Sequence, residues 1–487
     1  MSGRAFVIFF ALAQLVPGAE TAAPAMSSRV SALNANGSAL LRENRYAEAE
    51  GAYRAALQAC EAQDLVNRCR ELPRILTNLG AVYFHAGRYR EAELPLVRAL
   101  GFWPANAKPS EDLRNALYNL AAVYRNQARY AEAAPLYERA LAVNDELVGQ
   151  TELSSIPLLN GIGLFYVDTA EYARAQEIVE RAVSIIDLRH AENTPDAATC
   201  FATLGAILEA QGNPNEAEKW FLRALKIREH LFGQNDPVVA DTRVGLALVY
   251  HRESRLAEAA DLNISAVAAY QERHGAKNLP VALNNLGRIR SEQGRSKEAE
   301  QLFRKAIALW EKQLGPTHPN VAAGLASLGL ALCSRNKFSE AEPLFRRARD
   351  IDQAFFPVNH PRIAADLSNM AGLELGRKHY AKAAALFQEA KAMLEKCLPS
   401  DHPEIGTVLS RVAEIEYREG RLDQSKTLYR RALDILEKAW GVESPMLLSV
   451  LEDYSIVLRS QQNYADAASL DARIMKIRVR QALRSSK

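Results

Sequence analysis

The sequence predicts an all-α chain: a right-handed superhelical solenoid of about eleven helix-turn-helix repeats. Three observations predict it. A small residue, usually in a Glu-Ala-Glu context, recurs every 40–43 residues: Ala49, Ala92, Ala133, Ala175, Ala217, Ala259, Ala299, Ala341, Ala383, Ser425 and Ala467. Apolar residues around each landmark keep helical spacing, and Gly and Pro fall at fixed offsets from it. The composition, 48% hydrophobic and 24% charged with only 25 Gly and 20 Pro in 487 residues, suits packed helices and excludes disorder.

The first 25 residues read differently. Arg4 precedes an apolar run from Ala5 to Val16, and small residues follow, ending in Ala23-Pro24-Ala25. A charged start, a short apolar core and an A-x-A site describe a secretory signal peptide, too short to span a bilayer as a helix. The expectation is an exported chain, periplasmic or extracellular, beginning near residue 26.

Residues 27–479 then hold the repeats. In seven of the second helices the landmark is followed at the fourth residue by a ring (Tyr53, Tyr137, Phe221, Phe303, Phe345, Phe387, Tyr429), and in all but the last it is followed at the seventh by Ala (Ala56 through Ala432). That spacing places all three on one face, with the ring filling the space between helices. In nearly every first helix an aliphatic stands thirteen residues before the landmark, as in Leu79, Leu120 and Leu328, and a small residue comes next, as in Gly80, Ala121 and Gly329; Asn36 replaces the aliphatic in the first repeat. Gly87, Gly212, Gly294 and Gly420 mark the turn between the two helices, where a left-handed backbone is required. Pro195, Pro237, Pro319, Pro361, Pro403 and Pro445 each follow a polar residue, which predicts a capped helix start. Residues 480–487 form a basic tail.

Most chemistry is excluded. Sixty basic residues balance 58 acidic ones, so no large field favours nucleic acid or anionic lipid. His318, His360 and His402 are spaced by 42 residues, so they occupy one corner of successive repeats rather than one metal site. No phosphate-binding loop, nucleophile elbow or zinc motif occurs. The expectation is therefore no enzyme activity, no cofactor and no metal. Asn36-Gly37-Ser38 and Asn263-Ile264-Ser265 match glycosylation sequons, a pattern common by chance. Of five cysteines, Cys60 and Cys69 stand at one junction, where an exported chain is able to link them.

The pattern resembles the tetratricopeptide repeat, and its 42-residue form is similar to the repeats of kinesin light chains. The runs that carry the resemblance include Asn119-Leu120-Ala121, Ala128 to Ala133, and Leu314 to Pro319. The resemblance implies a protein-binding scaffold whose first helices line a concave groove. Groove positions lie 18, 15, 14, 11, 8 and 7 residues before each landmark. They give Arg74, Asn78, Tyr118, Asn119, Arg125 and Asn126 in repeats two and three, and Asn284, Asn285, Arg288 and Glu292 in repeat seven. Asn369 stands in repeat nine, and Arg411, Glu414 and Arg418 in repeat ten. Asn78, Asn119, Asn285 and Asn369 share one slot, and the resemblance implies that they hold a partner's backbone. Arg74 and Arg125 suit an acidic group. The expected partner is an extended peptide or helix of another protein, with no integral membrane segment after leader removal and the oligomeric state left open. The alternative is a sensor or regulatory arm of a separately encoded enzyme or envelope assembly.

Overall fold

The computed structural model describes residues 25–43, 45–61, 69–104, 106–169, 171–272, 278–356 and 358–485. All but the last residue of the expected leader lies outside these. Among the described residues there are twenty-two α-helices and no strands.

Two compact bodies hold them: one of Met1–Phe165 with Ser184–Arg189, the other of Tyr166–Val183 with His190–Lys487. The first body contains the pairs Ala25–Arg42 with Tyr46–Glu61, Leu72–His85 with Tyr89–Leu100, and Glu111–Asn126 with Tyr130–Val148. The fourth pair, Ile156–Asp168 and Tyr172–Leu188, is divided between the bodies. The second body continues with Pro195–Ala210 and Pro214–Phe232, Pro237–Arg252 and Leu256–Glu272, Leu279–Glu292 and Ser296–Leu314. Then come Pro319–Cys333 and Phe338–Phe355, Pro361–Gly376 and Tyr380–Cys397, Pro403–Arg418 and Leu422–Trp440, and Leu448–Ser460 with Tyr464–Ser485. The last helix thus carries the backbone of the expected basic tail as far as Ser485. Its cations are matched locally: Lys476 Nζ is 2.5 Å from Glu443, and Arg478 Nη2 is 2.6 Å from Glu452.

Helix starts follow the polar-Pro signal. Thr194 Oγ1 accepts from Ala197 N at 3.2 Å and Asp236 Oδ1 from Val238 N at 2.9 Å. The three spaced histidines do the same work, Nδ1 accepting from the main-chain N–H of Asn320, Arg362 and Glu404 at 3.1, 3.1 and 3.2 Å. Each satisfies a helix N–H that has no partner within the helix. The turn before each second helix is left-handed at Gly87, Gly212, Gly294 and Gly420, and equally at Ala128, Ser254, Asn336, Lys378 and Gln462. Stacking fixes the turn even where the residue disfavours it.

Eleven residues after most landmarks, second helices carry the contact to the next repeat. Most such residues are apolar, among them Trp310, buried in a cluster with Phe303, Leu325 and Phe345. Others are polar and bonded across the junction. Asn144 accepts from Arg114 (3.1 Å) and donates to Ser155 (2.7 Å); Arg228 donates to Thr242 (2.7 Å) and Thr199 (3.1 Å); Asp352 accepts from Arg362 (2.8 Å). Cys60 occupies the same slot and is joined to Cys69, with an S–S separation of 2.04 Å and a Cα–Cα distance of 5.8 Å. Asn263 is 1% exposed, which removes it as a glycan acceptor.

Candidate functional site

The expected groove residues of repeats two and three are mostly engaged within the first body. Arg74 makes a two-pronged pair with Asp112, Nε–Oδ1 2.9 Å and Nη2–Oδ2 3.1 Å. Asn78 Nδ2 donates to Asn34 Oδ1 at 3.0 Å on the preceding repeat, and Asn126 Nδ2 to Ala122 O of its own helix at 2.9 Å. Tyr118 is a packing residue rather than a groove surface. Its ring lies edge-on to Tyr137 and fills the space over Gly161, where an added Cβ would be 1.9 Å from the phenol oxygen. Asn119 and Arg125 are buried.

Repeats five to seven, in the second body, gather a different set. Glu209, His251, Arg252, Asn284, Asn285, Arg288 and Glu292 all stand at groove positions of their first helices. Glu209, only 7% exposed, pairs with Arg252. His251 Nε2 is 2.8 Å from Glu292 Oε1. Burial pushes the Glu209 carboxyl above its ordinary range against the pull of Arg252, and pushes the Arg288 guanidinium down. Charges held in so little water interact strongly with anything that enters.

Beside them opens a small cleft lined by Ala247, Leu248, His251, Asn263, Asn285, Arg288 and Ile289. Its cause is legible in the register. Asn263 sits four residues after the landmark Ala259, the position of the ring in seven other repeats. An amide stands there in place of a ring. Asn263 Nδ2 donates to Ala259 O at 3.0 Å, while its Oδ1 is buried without a hydrogen bond, as is Asn284 Oδ1. Sequence reasoning placed Asn284, Asn285 and Arg288 here but passed over Glu209, His251, Arg252 and Asn263. The first three lie at the same groove offsets, and Asn263 breaks the aromatic series. Asn369 is half-buried in repeat nine, two repeats further along the second body.

Among the described residues no group of three or more His, Cys, Asp or Glu is arranged to hold a metal ion, and no helix is long and apolar enough to cross a membrane. The arrangement offers hydrogen-bond acceptors, a guanidinium and apolar walls.

No curated protein matches the sequence. A Rap protein complexed with Competence and Sporulation Factor is similar in fold over 77% of this chain and 99% of its own, at 14% identity and a TM-score of 0.51. A putative kinesin light chain with nearly identical TPR-like repeats, from Podosopora anserina, covers 41% of this chain and 96% of its own (21% identity, TM-score 0.35). BtubC from P. vanneervenii covers 47% and 91% (20% identity, TM-score 0.37). The tetratricopeptide repeat model matches residues 28–105, 112–188, 154–230, 196–272, 278–354 and 404–478. With helix pairs in register through these segments, the chain belongs to the tetratricopeptide repeat family.

Proposed function

We propose that the chain is a non-enzymatic scaffold that binds an extended segment of a partner protein on the concave lining of its second body. Repeats of this family are generally protein-interaction modules, and the Rap protein of similar fold was solved complexed with Competence and Sporulation Factor. The observation that carries the reading is the acceptor Asn263 Oδ1, buried without a hydrogen bond in the cleft that Asn285 and Arg288 line. A buried acceptor left unpaired costs about 1–3 kcal/mol, so its retention points to a ligand that supplies the donors. A peptide backbone or side-chain amide supplies them, and Arg288 and Asn285 donate in return. Export through the residue 1–25 leader, to the periplasm or beyond, is part of the same proposal. The Cys60–Cys69 pair fits an oxidising compartment.

The test uses peptides selected from a displayed library against the purified chain. Asn285→Ala and Arg288→Ala should each weaken the selected peptides by about 1–3 kcal/mol with helicity unchanged. Peptides that bind both variants as tightly as the wild type would place the site elsewhere.

A further inference from the structure

Within the second body, early repeats touch late ones along a narrow line. The end of the first helix of repeat four meets the start of repeat ten: the Asp168 main chain acts on the His402 side chain, and the charge of Glu404 reaches Tyr172. One repeat on, the turn at Gly212 meets the junction before repeat eleven so closely that an added Cβ would stand 2.3 Å from the Trp440 carbonyl oxygen and 3.2 Å from Ser444 Oγ. One repeat further, Arg252 Nη1 is 3.3 Å from Met446 Sδ. Each joins a repeat to one five or six places later. They form a seam between successive windings of the array.

We propose that this seam is a gate to the concave lining, opening to admit the partner segment and closing around it; the gate rests on the binding role proposed above. Two features support it. First, the seam is thin: a glycine-to-carbonyl approach, a thioether against a guanidinium and a histidine on a main-chain group. Water replaces such contacts readily, unlike the apolar cores that join neighbouring repeats. Second, seam and cleft are joined through adjacent residues. Arg252 touches Met446 across the seam and pairs with Glu209 inside, and its chain neighbour His251 lines the cleft. A ligand that draws on Arg252 or His251 therefore changes the seam, and by linkage the seam changes the ligand's affinity.

The turn glycines supply an internal control. Gly212 and Gly294 occupy the same offset with the same left-handed backbone, φ 73° and 74°, yet nothing lies within 4 Å of a Cβ added at Gly294. Gly212→Val and Gly294→Val thus carry equal backbone strain, and only the first blocks closure. Met446→Lys, which sets a cation against Arg252, opens the seam without touching the backbone and decides the matter if Gly212→Val does not fold. X-ray scattering of the full chain should show a larger radius of gyration for Gly212→Val and Met446→Lys, and none for Gly294→Val. A library-selected peptide should associate several-fold faster with the two opened variants in stopped flow. Scattering profiles superimposable on the wild type would overturn the seam. Expansion without faster association would overturn the gate while leaving the concave binding site standing.

Discussion

Gly329 and Phe345 share one space: a Cβ built on Gly329 would lie 2.5 Å from Cε1 of the Phe345 ring. The same relation holds between Gly287 and Phe303 at 2.7 Å and Gly205 and Phe221 at 2.9 Å. The small slot of the first helix and the ring of the second are thus one packing device, repeated along the chain. Gly329→Ala should cost about 1–3 kcal/mol through overpacking. Gly372→Ala, in a helix interior with nothing within 4 Å of the new Cβ, should instead stabilise by about 0.5–1 kcal/mol. Thermal melts of the two variants check the pair; equal shifts would contradict the packing assignment.

Lys378 stands at a left-handed turn, φ 65°, where an L side chain is strained. Lys378→Gly should raise stability by about 1 kcal/mol, the backbone relief exceeding the added freedom of the unfolded chain. A lower melting temperature in that variant would contradict it.

Asp366 and Asp352 are both buried at the junction of repeats eight and nine, facing Arg362 and Arg349. Burial, and then the like charge of Asp352, push the Asp366 carboxyl from 3.8 up to about 8. Between those values the folded chain holds a proton that the unfolded chain has released, so this group's contribution to stability falls as pH rises. Asp366→Asn should therefore raise the melting temperature more at pH 8 than at pH 5. A gain independent of pH would contradict the shift.

Cys60 and Cys69 close a loop of nine residues at the junction of the first two repeats. Reducing them should destabilise that end by about 2–3 kcal/mol, a short loop giving the lower part of the usual range. Hydrogen exchange with and without reductant should show faster exchange confined to the first repeats; no change would contradict it.

The period, the two helices of each repeat and the capped starts at Pro195 through Pro403 were legible because each rests on residues within one turn of helix. The left-handed backbone at Ala128, Ser254 and Lys378 was not, because neighbours impose it against residue preference. Nor was the packed role of Tyr118, which depends on Gly161 a repeat away. The contact of Gly212 with Trp440 and Ser444 has no local signature at all. It arises from small rotations summed over successive repeats. Asn263 is the instructive case: the sequence shows an amide where seven repeats carry a ring.

That residue gives the most direct measurement. Asn263→Phe sets the ring carried by seven other repeats in this slot, removes a buried unpaired carbonyl and puts a larger side chain against the cleft. The account predicts a chain with unchanged or higher melting temperature that no longer binds the library-selected peptides. A folded Asn263→Phe chain that binds them with wild-type affinity would contradict it.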